Sequence, residues 1–244
     1  MDYFDKAETW DRATLETVQL ARLKTTIQQA SRAPFYAKRL AEAGVSADNL
    51  RSLEDIRRIP FTSKDDLRSQ YPYGLATVPH SEFVRMHCSS GTTGTPVAVC
   101  YTQPDINSWA DLMARCLYMA GVRKDDVFQN MSGYGLFTGG LGIHFGAERL
   151  GCMTIPAGAG NSKRQLKLVK DFGTTVAHIL PSYALHLGTT LIEEGEDPKA
   201  LSLRIACVGA EPYTEETRRR IEALFDMKVY NSYGLSEMNG PGVA

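Results

Sequence analysis

The sequence predicts an α/β fold in which a layered, doubly wound, mostly parallel sheet follows an N-terminal helical appendage. Short apolar runs recur from residue 127 onward with helical segments between them, and residues 12–43 show helical spacing instead. Strands that alternate with helices are typical of βαβ units, whose parallel sheet is covered on both faces. We therefore divide the chain into a helical region, residues 1–80, and an α/β core, residues 81–244.

The helical region begins with an amphipathic pattern. Leu15, Val18 and Ala21 recur at helical spacing, and Pro34 separates this first helix from a second that ends near Gly44. Residues 52–72, SLEDIRRIPFTSKDDLRSQYP, predict short turns and two further helical fragments. This part of the chain is expected to pack as a collar of helices without a sheet.

The core opens with two strands around a polar loop. FVRMHC at residues 83–88 and VAVCY at residues 97–101 are β runs, and SSGTTGTP at residues 89–96 lies between them. An amphipathic helix over residues 105–120 follows and stops at Gly121.

Five short apolar runs then predict the strands of the sheet. They are VFQNM from residue 127, CMTIP from 152, TVAHIL from 175, LRIACVG from 203 and MKVYN from 227, with helical segments such as SKRQLKLVKDF between them. Residues 231–244, NSYGLSEMNGPGVA, predict a loop with no closing element.

Composition favours a small-molecule ligand. The 244 residues carry 27 Lys and Arg against 28 Asp and Glu, and a net charge of −1 offers no electrostatic attraction to nucleic acid or to an anionic membrane. No apolar run approaches the ~20 residues of a membrane span. The five cysteines show no CxxC spacing and the N-terminus has no apolar signal core, so we expect a reduced, cytoplasmic protein.

The polar loop is suited to an oxyanion. Its hydroxyl groups, together with backbone N–H groups exposed at Gly91 and Gly94, can surround a phosphate, and each bond to the charged group contributes about 1.5–3 kcal/mol. A polar hairpin turn would need only two to five loop residues and no stack of hydroxyls. A P-loop NTPase would need a lysine and a following helix, and both are missing here.

The loop SSGTTGTP resembles the phosphate loop of the adenylate-forming superfamily, which includes acyl- and aryl-CoA synthetases. Residues 133–152, 209–222 and 233–244 are similar to phenylacetate–CoA ligases, and so is the N-terminal region. The resemblance implies ATP-dependent activation of an aryl acid, phenylacetate above others, to an acyl-adenylate and then to its CoA thioester. ATP and Mg²⁺ would be required, with CoA as co-substrate.

The resemblance also implies roles for individual residues. Thr92, Thr93, Ser236 and Glu237 would be catalytic, with Ser236 on the α-phosphate and Glu237 on Mg²⁺. Nucleotide contacts would come from Ser89, Ser90, Gly91, Thr92, Thr93, Gly94, Gly209, Ala210, Glu211, Pro212, Tyr233 and Ser236. The turn at residues 209–212 would act mostly through backbone and shape, so changes at Glu211 should be milder than at Glu237.

The acid pocket is assigned to Tyr134, Phe137, Gly139, Gly140 and Pro241. Two rings beside glycines that leave space suit a flat aromatic acid. The alternative is that both rings belong to the core. The resemblance further implies a homodimer formed through the N-terminal region.

Two departures from the family pattern qualify these expectations. Thr95 stands where the family usually has a lysine, and Lys64 either compensates for that charge or is a solvated residue at a helix start. The sequence ends at Ala244, before the ribose-binding aspartate, the hinge and the lysine-bearing lid of the family. We therefore expect the C-terminal lid domain to be absent and these 244 residues alone not to be fully competent. Two alternatives remain open: an adenylating enzyme that serves a carrier protein, or a non-catalytic binding module.

Overall fold

The chain divides into two compact units. The computed structural model describes residues 3–89 and 94–238, and the backbone of residues 240–243. The units are Met1–Gln103 and Pro104–Ala244. The strand pair that follows residue 80 thus clusters with the N-terminal helices, and the domain boundary after residue 80 stays a prediction.

The described residues of the first unit form three α-helices, α1 (Arg12–Ala30), α2 (Pro34–Glu42) and α3 (Lys64–Ser69), with short 3-10 turns between them. The Asp11 side chain accepts a hydrogen bond from the Thr14 N–H and caps α1. Pro34 occupies the first turn of α2, where its fixed φ suits the helix and its missing N–H leaves no bond unmade. The predicted helix, break and second helix are confirmed.

A two-stranded antiparallel sheet completes the first unit. Strand β1 (Phe83–Cys88) pairs with β2 (Ala98–Thr102), and His87 lies opposite Val99. The predicted order of strand, loop and strand is confirmed.

The second unit is a six-stranded sheet with helices. Its helices are α4 (Gln103–Met119, beginning at the unit boundary), α5 (Thr138–Leu150), α6 (Ser162–Phe172), α7 (Pro181–Glu193) and α8 (Glu215–Phe225). Its strands are β3 (Val127–Asn130), β4 (Met153–Ile155), β5 (Val176–Ile179), β6 (Ile205–Gly209), β7 (Lys228–Leu235) and β8 (Gly240–Val243). The strand order is β4-β3-β5-β6-β7-β8, and the first five strands are parallel.

Helices cover both faces of this sheet. On one face, side chains of α6, α7 and α8 pack with Ala177, Ile179 and Val208 in a single buried cluster. On the other face, Asn130 of β3 bonds to the backbone of α5. Because both faces are covered, β5 and β6 are buried along their whole length, which explains their continuous apolar runs. The predicted doubly wound, mostly parallel sheet is confirmed.

The prediction of a loop over the last residues is wrong. Strand β7 continues to Leu235, a 3-10 turn covers Ser236–Met238, and β8 returns antiparallel beside β7. Gly, Asn and Ser dominate this stretch and mark turns in a sequence, but ladder hydrogen bonds are made by the backbone and do not require apolar side chains.

The strand order reverses beside β3. The chain passes from β3 to β4 on one side and then to β5 on the other side of β3. In open α/β sheets, ligands bind outside the carboxyl ends of strands at such a reversal. Asn130 and His178 lie opposite each other in register where β3 and β5 meet, and Asn130 is the last residue of β3. In the described part of the chain, no helix has both the length and the apolar composition that a bilayer span requires.

Candidate functional site

The neck of the polar loop is closed by Ser89. Its N–H donates to the Val97 carbonyl oxygen at 3.0 Å, and its hydroxyl accepts from the Val97 N–H at 2.9 Å. Gly94 follows with φ of +132°, a conformation that favours glycine. Ser90, Gly91, Thr92 and Thr93 lie outside the described residues, so their phosphate contacts stay predictions.

Thr95 and Lys64 are both exposed in the first unit. Lys64 is the first residue of α3, where the Ser63 hydroxyl caps the helix by accepting from the Asp66 N–H. The position at a helix start agrees with the solvated alternative, and whether Lys64 also replaces the missing loop charge stays a prediction.

A cleft of about 670 Å³ lies at the carboxyl ends of β6 and β7. The turn at residues 209–212 forms one wall and Tyr233 lies on another. The structure therefore brings together two groups of predicted nucleotide residues that are more than twenty positions apart in the sequence. The remaining lining residues, which the sequence did not suggest, are Tyr213, Glu215, Arg218, Asn231, Ser232 and Gly234.

Backbone geometry shapes the first wall. A Cβ atom at Gly209 would lie 2.3 Å from the Ser232 carbonyl oxygen, so the close approach of β6 and β7 requires glycine there. Ala210 has φ of +67°, a left-handed conformation that is uncommon for a residue with a side chain. Strained backbone of this kind collects at functional sites.

Glu211 has a structural contact as well. Its Oε1 accepts a hydrogen bond from the Ser182 N–H at 2.6 Å, in the first turn of α7. A carboxylate is stabilised there by the exposed N–H groups and the positive end of the helix dipole. The side chain therefore ties the cleft wall to a neighbouring helix, which the expectation of a backbone role did not include.

Charges in the cleft are largely paired. Arg218 forms ion pairs with Glu215 and Glu222, and the hydrogen bond from Arg218 lowers the pKa of Glu215 to about 2. The same hydrogen bond raises the pKa of Arg218 further above its ordinary value. Burial raises the pKa of Tyr213, so its phenol is neutral at physiological pH.

The segment from Tyr233 to Glu237 lies at the end of β7. Tyr233 is 55% exposed, which leaves its ring available to a flat ligand. Ser236 is half-buried and Glu237 is exposed in the 3-10 turn. Among the described residues, no three His, Cys, Asp or Glu side chains come together as a metal site.

The two predicted pocket rings lie before and at the start of α5. Phe137 is 58% exposed and Tyr134 is half-buried, so the alternative that both rings belong to the core is wrong. Gly139 has open space around it, whereas a Cβ at Gly140 would lie 2.3 Å from the Gly133 carbonyl oxygen. The structure thus explains Gly140 by close packing of the preceding loop on α5. The side chain of Pro241 is outside the described residues.

A polar network beside Tyr134 was missed by the sequence analysis. The Tyr134 hydroxyl contacts Asn130 Nδ2 at 2.9 Å and His144 Nδ1 at 3.0 Å, and His178 contacts the same asparagine. Burial lowers the pKa of His178 to about 4 and raises the pKa of Tyr134. Two polar residues, Gln129 and Asn130, at the carboxyl end of β3 were the available signal.

Comparisons with known proteins agree with this architecture. A phenylacetate-coenzyme A ligase from Pseudomonas putida is 48% identical over 98% of this chain, and one from Thermus thermophilus is 46% identical over all of it. The chain spans about 55% of the length of each relative. The crystal structure of a 2-hydroxyisobutyryl-CoA ligase with 2-HIB-AMP and CoA in the thioesterification state is 31% identical, with a TM-score of 0.88 over 98% of this chain and 54% of that one.

The family is shown by a match along nearly the whole sequence. The sequence model of the AMP-binding enzyme family matches residues 13–244, which include the loop, the 209–212 turn and the Tyr233–Glu237 segment. The resemblance inferred from the motifs is thereby confirmed, and the chain belongs to the AMP-binding enzyme family.

Proposed function

We propose that the protein activates an aryl acid, phenylacetate above others, with ATP and then transfers the acyl group to CoA. The observation that carries the proposal is the cleft in which the 209–212 turn and Tyr233 meet at the carboxyl ends of β6 and β7. The names of the relatives support the same chemistry, and the chain spans about 55% of their length.

The first step joins a carboxylate oxygen to the α-phosphorus of ATP and releases pyrophosphate. Both reactants are anions, so the site must offset their repulsion and align them. Gly91, Thr92, Thr93 and Gly94 would bind the β- and γ-phosphates of the leaving group, with Ser89 and Ser90 as further nucleotide contacts. Ser236 would donate to an α-phosphate oxygen.

The nucleotide base would lie in the cleft. Its size suits a purine, and a ring such as Tyr233 can stack on a base for about 1–3 kcal/mol. Gly209, Ala210 and Pro212 would form the opposite wall through backbone and shape, and Glu211 would keep that wall attached to α7 through Ser182.

Mg²⁺ is assigned to Glu237. Protein sites for Mg²⁺ often supply one or two carboxylates while substrate phosphates and water complete the shell. Glu237 is exposed and belongs to no cluster of three potential metal ligands within residues 3–89 and 94–238, which fits this arrangement. Bound Mg²⁺ would neutralise charge on the leaving phosphates.

The aryl acid would bind beside Tyr134 and Phe137, with Gly139, Gly140 and Pro241 completing the pocket. Tyr134 is half-buried and Phe137 is exposed, so neither ring is enclosed in the core, and this supports the assignment. The acid would then lie near the strand-order reversal, where sheets of this type bind ligands.

We further propose a cytoplasmic homodimer formed through the N-terminal region, with residues 1–80 as a separate domain and no nucleic acid or membrane partner. A net charge of −1 supports the lack of polyanionic partners.

Pyrophosphate exchange tests the proposal. The intact protein should incorporate labelled pyrophosphate into ATP only when an aryl acid is added, and CoA should yield the thioester. Glu237→Gln should lower exchange by about a hundredfold, because one charge-stabilising group is lost. Glu216→Gln, an exposed acid in the first turn of α8, is the control and should leave the rate unchanged.

Three outcomes would contradict the proposal. No acid-dependent exchange would point to a non-catalytic module. Exchange without thioester, but with acylation of a carrier protein, would assign a different acceptor. Wild-type activity of Glu237→Gln would remove the metal assignment.

A further inference from the structure

The amide of Asn130 has a single possible orientation. Its Oδ1 accepts from the Ser132 N–H at 3.1 Å, and its Nδ2 donates to the Gly140 carbonyl oxygen at 2.8 Å. Both partners are backbone groups of fixed polarity, so a flipped amide would place donor against donor and acceptor against acceptor. Asn130 is fully buried, where such a mismatch would cost the most.

This orientation determines the protons on its other two partners. The same Oδ1 accepts from His178 at 2.9 Å, so His178 carries its proton on Nδ1. The second Nδ2 hydrogen is donated to the Tyr134 hydroxyl oxygen at 2.9 Å. All four hydrogen-bonding positions of the amide are then in use.

The series of hydrogen bonds continues from Tyr134 to the protein surface. The carboxylate of Glu148 can only accept, so His144 carries its proton on Nε2 and donates it to Glu148 Oε1 at 3.0 Å. In that neutral tautomer Nδ1 is the acceptor, and Tyr134 donates its hydroxyl proton to it at 3.0 Å. The exposed carboxylate of Glu148 thereby orients the imidazole, which in turn orients the phenol.

Tyr134 is thus held at its hydroxyl from two sides. Asn130 contacts the hydroxyl from β3, and His144 contacts it from α5. The imidazole of His144 also lies edge-on to the phenol ring, with the ring centroids 5.7 Å apart. The tyrosine itself is half-buried, whereas Asn130 and His178 are buried. The hydrogen bonds therefore hold a half-buried ring beside Asn130, the last residue of β3, next to which the strand order reverses.

We propose that Asn130 and His144 are positioning residues for aryl-acid recognition, because they fix the ring of Tyr134 through one directed chain of hydrogen bonds. This inference rests on the proposed function, which assigns Tyr134 to the acid pocket. A ring that is already fixed loses less conformational entropy when a substrate packs against it, so the chain should lower KM for the acid. It should not alter KM for ATP.

Steady-state kinetics of the intact protein test the role of His144. His144→Ala should raise KM for the aryl acid by about tenfold, the equivalent of losing one such hydrogen bond, with KM for ATP unchanged. His144→Asn can place an amide oxygen where Nδ1 lies and should restore most of the wild-type KM. Arg149 lies on α5, as His144 does, and forms an ion pair with Asp111. Arg149→Ala removes that ion pair, is the matched control and should behave as wild type.

A second variant separates positioning from general damage. Tyr134→Phe keeps the ring and removes the clamped hydroxyl, so it should raise KM for the acid as His144→Ala does. The double variant should be no worse than either single one, because both remove the same link. Additive effects, an equal rise in KM for ATP, or no rescue by His144→Asn would overturn the inference.

The directions of these hydrogen bonds can also be measured in a protein that has no enzymatic activity. Histidine-selective ¹⁵N labelling of the intact protein should show the His144 proton on Nε2, and Tyr134→Phe should change the Nδ1 signal. A proton on Nδ1 of His144 would overturn the inference even in an active enzyme. If the wild type shows these hydrogen bonds but no acid-dependent pyrophosphate exchange, the proposed function fails. The positioning of Tyr134 by Asn130 and His144 would still stand.

Discussion

The cleft beside β6 and β7 and the hydrogen-bond network around Asn130 are built by different means. The cleft beside β6 and β7 depends on backbone: Gly209 permits a close approach and Ala210 adopts a left-handed conformation. The network where β3 and β5 meet depends on side chains that Asn130 links by hydrogen bonds, the buried His178 and the half-buried Tyr134. A wall made of backbone tolerates changes in its exposed side chains but no added Cβ at a close approach, whereas a network loses its order when one member is removed.

The largest expected effect falls on the backbone cleft. Gly209→Val would place a side chain 2.3 Å from the Ser232 carbonyl oxygen, and neither strand can move without loss of ladder hydrogen bonds. We expect the free energy of unfolding to fall by about 3 kcal/mol or more. Urea unfolding would measure this, and Ser232→Ala, which leaves the backbone oxygen in place, should be nearly neutral. A stable Gly209→Val protein would show that the cleft does not depend on this close approach.

A pH effect of similar size is expected at the buried His178, where β3 and β5 meet. Burial lowers the pKa of His178 from 6.5 to about 4 in the folded protein. Between these values the unfolded chain binds the proton and the folded one does not, so stability falls as the pH falls. The loss from this group is complete near pH 4 and amounts to about 3 kcal/mol at most.

Urea unfolding between pH 7 and pH 4 would measure this pH effect. His178→Asn can keep the donor to Asn130 without titrating, so its stability should depend less on pH in that window. His186→Asn, at an exposed position of α7, is the control and should keep the wild-type slope. Identical slopes for wild type and His178→Asn would show that His178 is not a buried neutral imidazole.

Two adjacent glycines of α5, Gly139 and Gly140, compare an open position with a closely packed one in the same helix. Gly140→Ala would bring a methyl group against the Gly133 carbonyl oxygen and displace the loop that carries Tyr134, at a cost of about 2 kcal/mol. Gly139→Ala meets open space in the same helix and should stabilise the protein by about 0.5–1 kcal/mol. Thermal unfolding of the pair gives the comparison, and equal shifts of both variants would contradict the packing argument.

The smallest expected loss of stability is at Glu211. Glu211→Ala removes the acceptor for the Ser182 N–H and should cost about 1 kcal/mol. Glu211→Gln retains an acceptor oxygen and should cost less. Pyrophosphate exchange should change less in both variants than in Glu237→Gln. A collapse of exchange in Glu211→Gln would show that the carboxylate contacts a substrate directly.

Local patterns in the sequence determined much of this protein. The break at Pro34, the strands around the polar loop and the alternation of apolar runs with helices all depend on neighbours within a few residues, and each was predicted correctly. The family motifs lie in such segments. The residues 231–243 were misread because strand β8 is held by backbone pairing with β7, which leaves no apolar pattern.

Only the tertiary structure decided which distant side chains become neighbours in the second unit. Asn130 and His178 are 48 positions apart, and Glu211 lies 29 positions from Ser182. Nothing in either local sequence specifies the partner, because strand order and helix packing bring them together. The sequence by itself determined which residues have the right chemistry. The order β4-β3-β5-β6-β7 decided which of them meet, because parallel strands place distant segments side by side at their carboxyl ends.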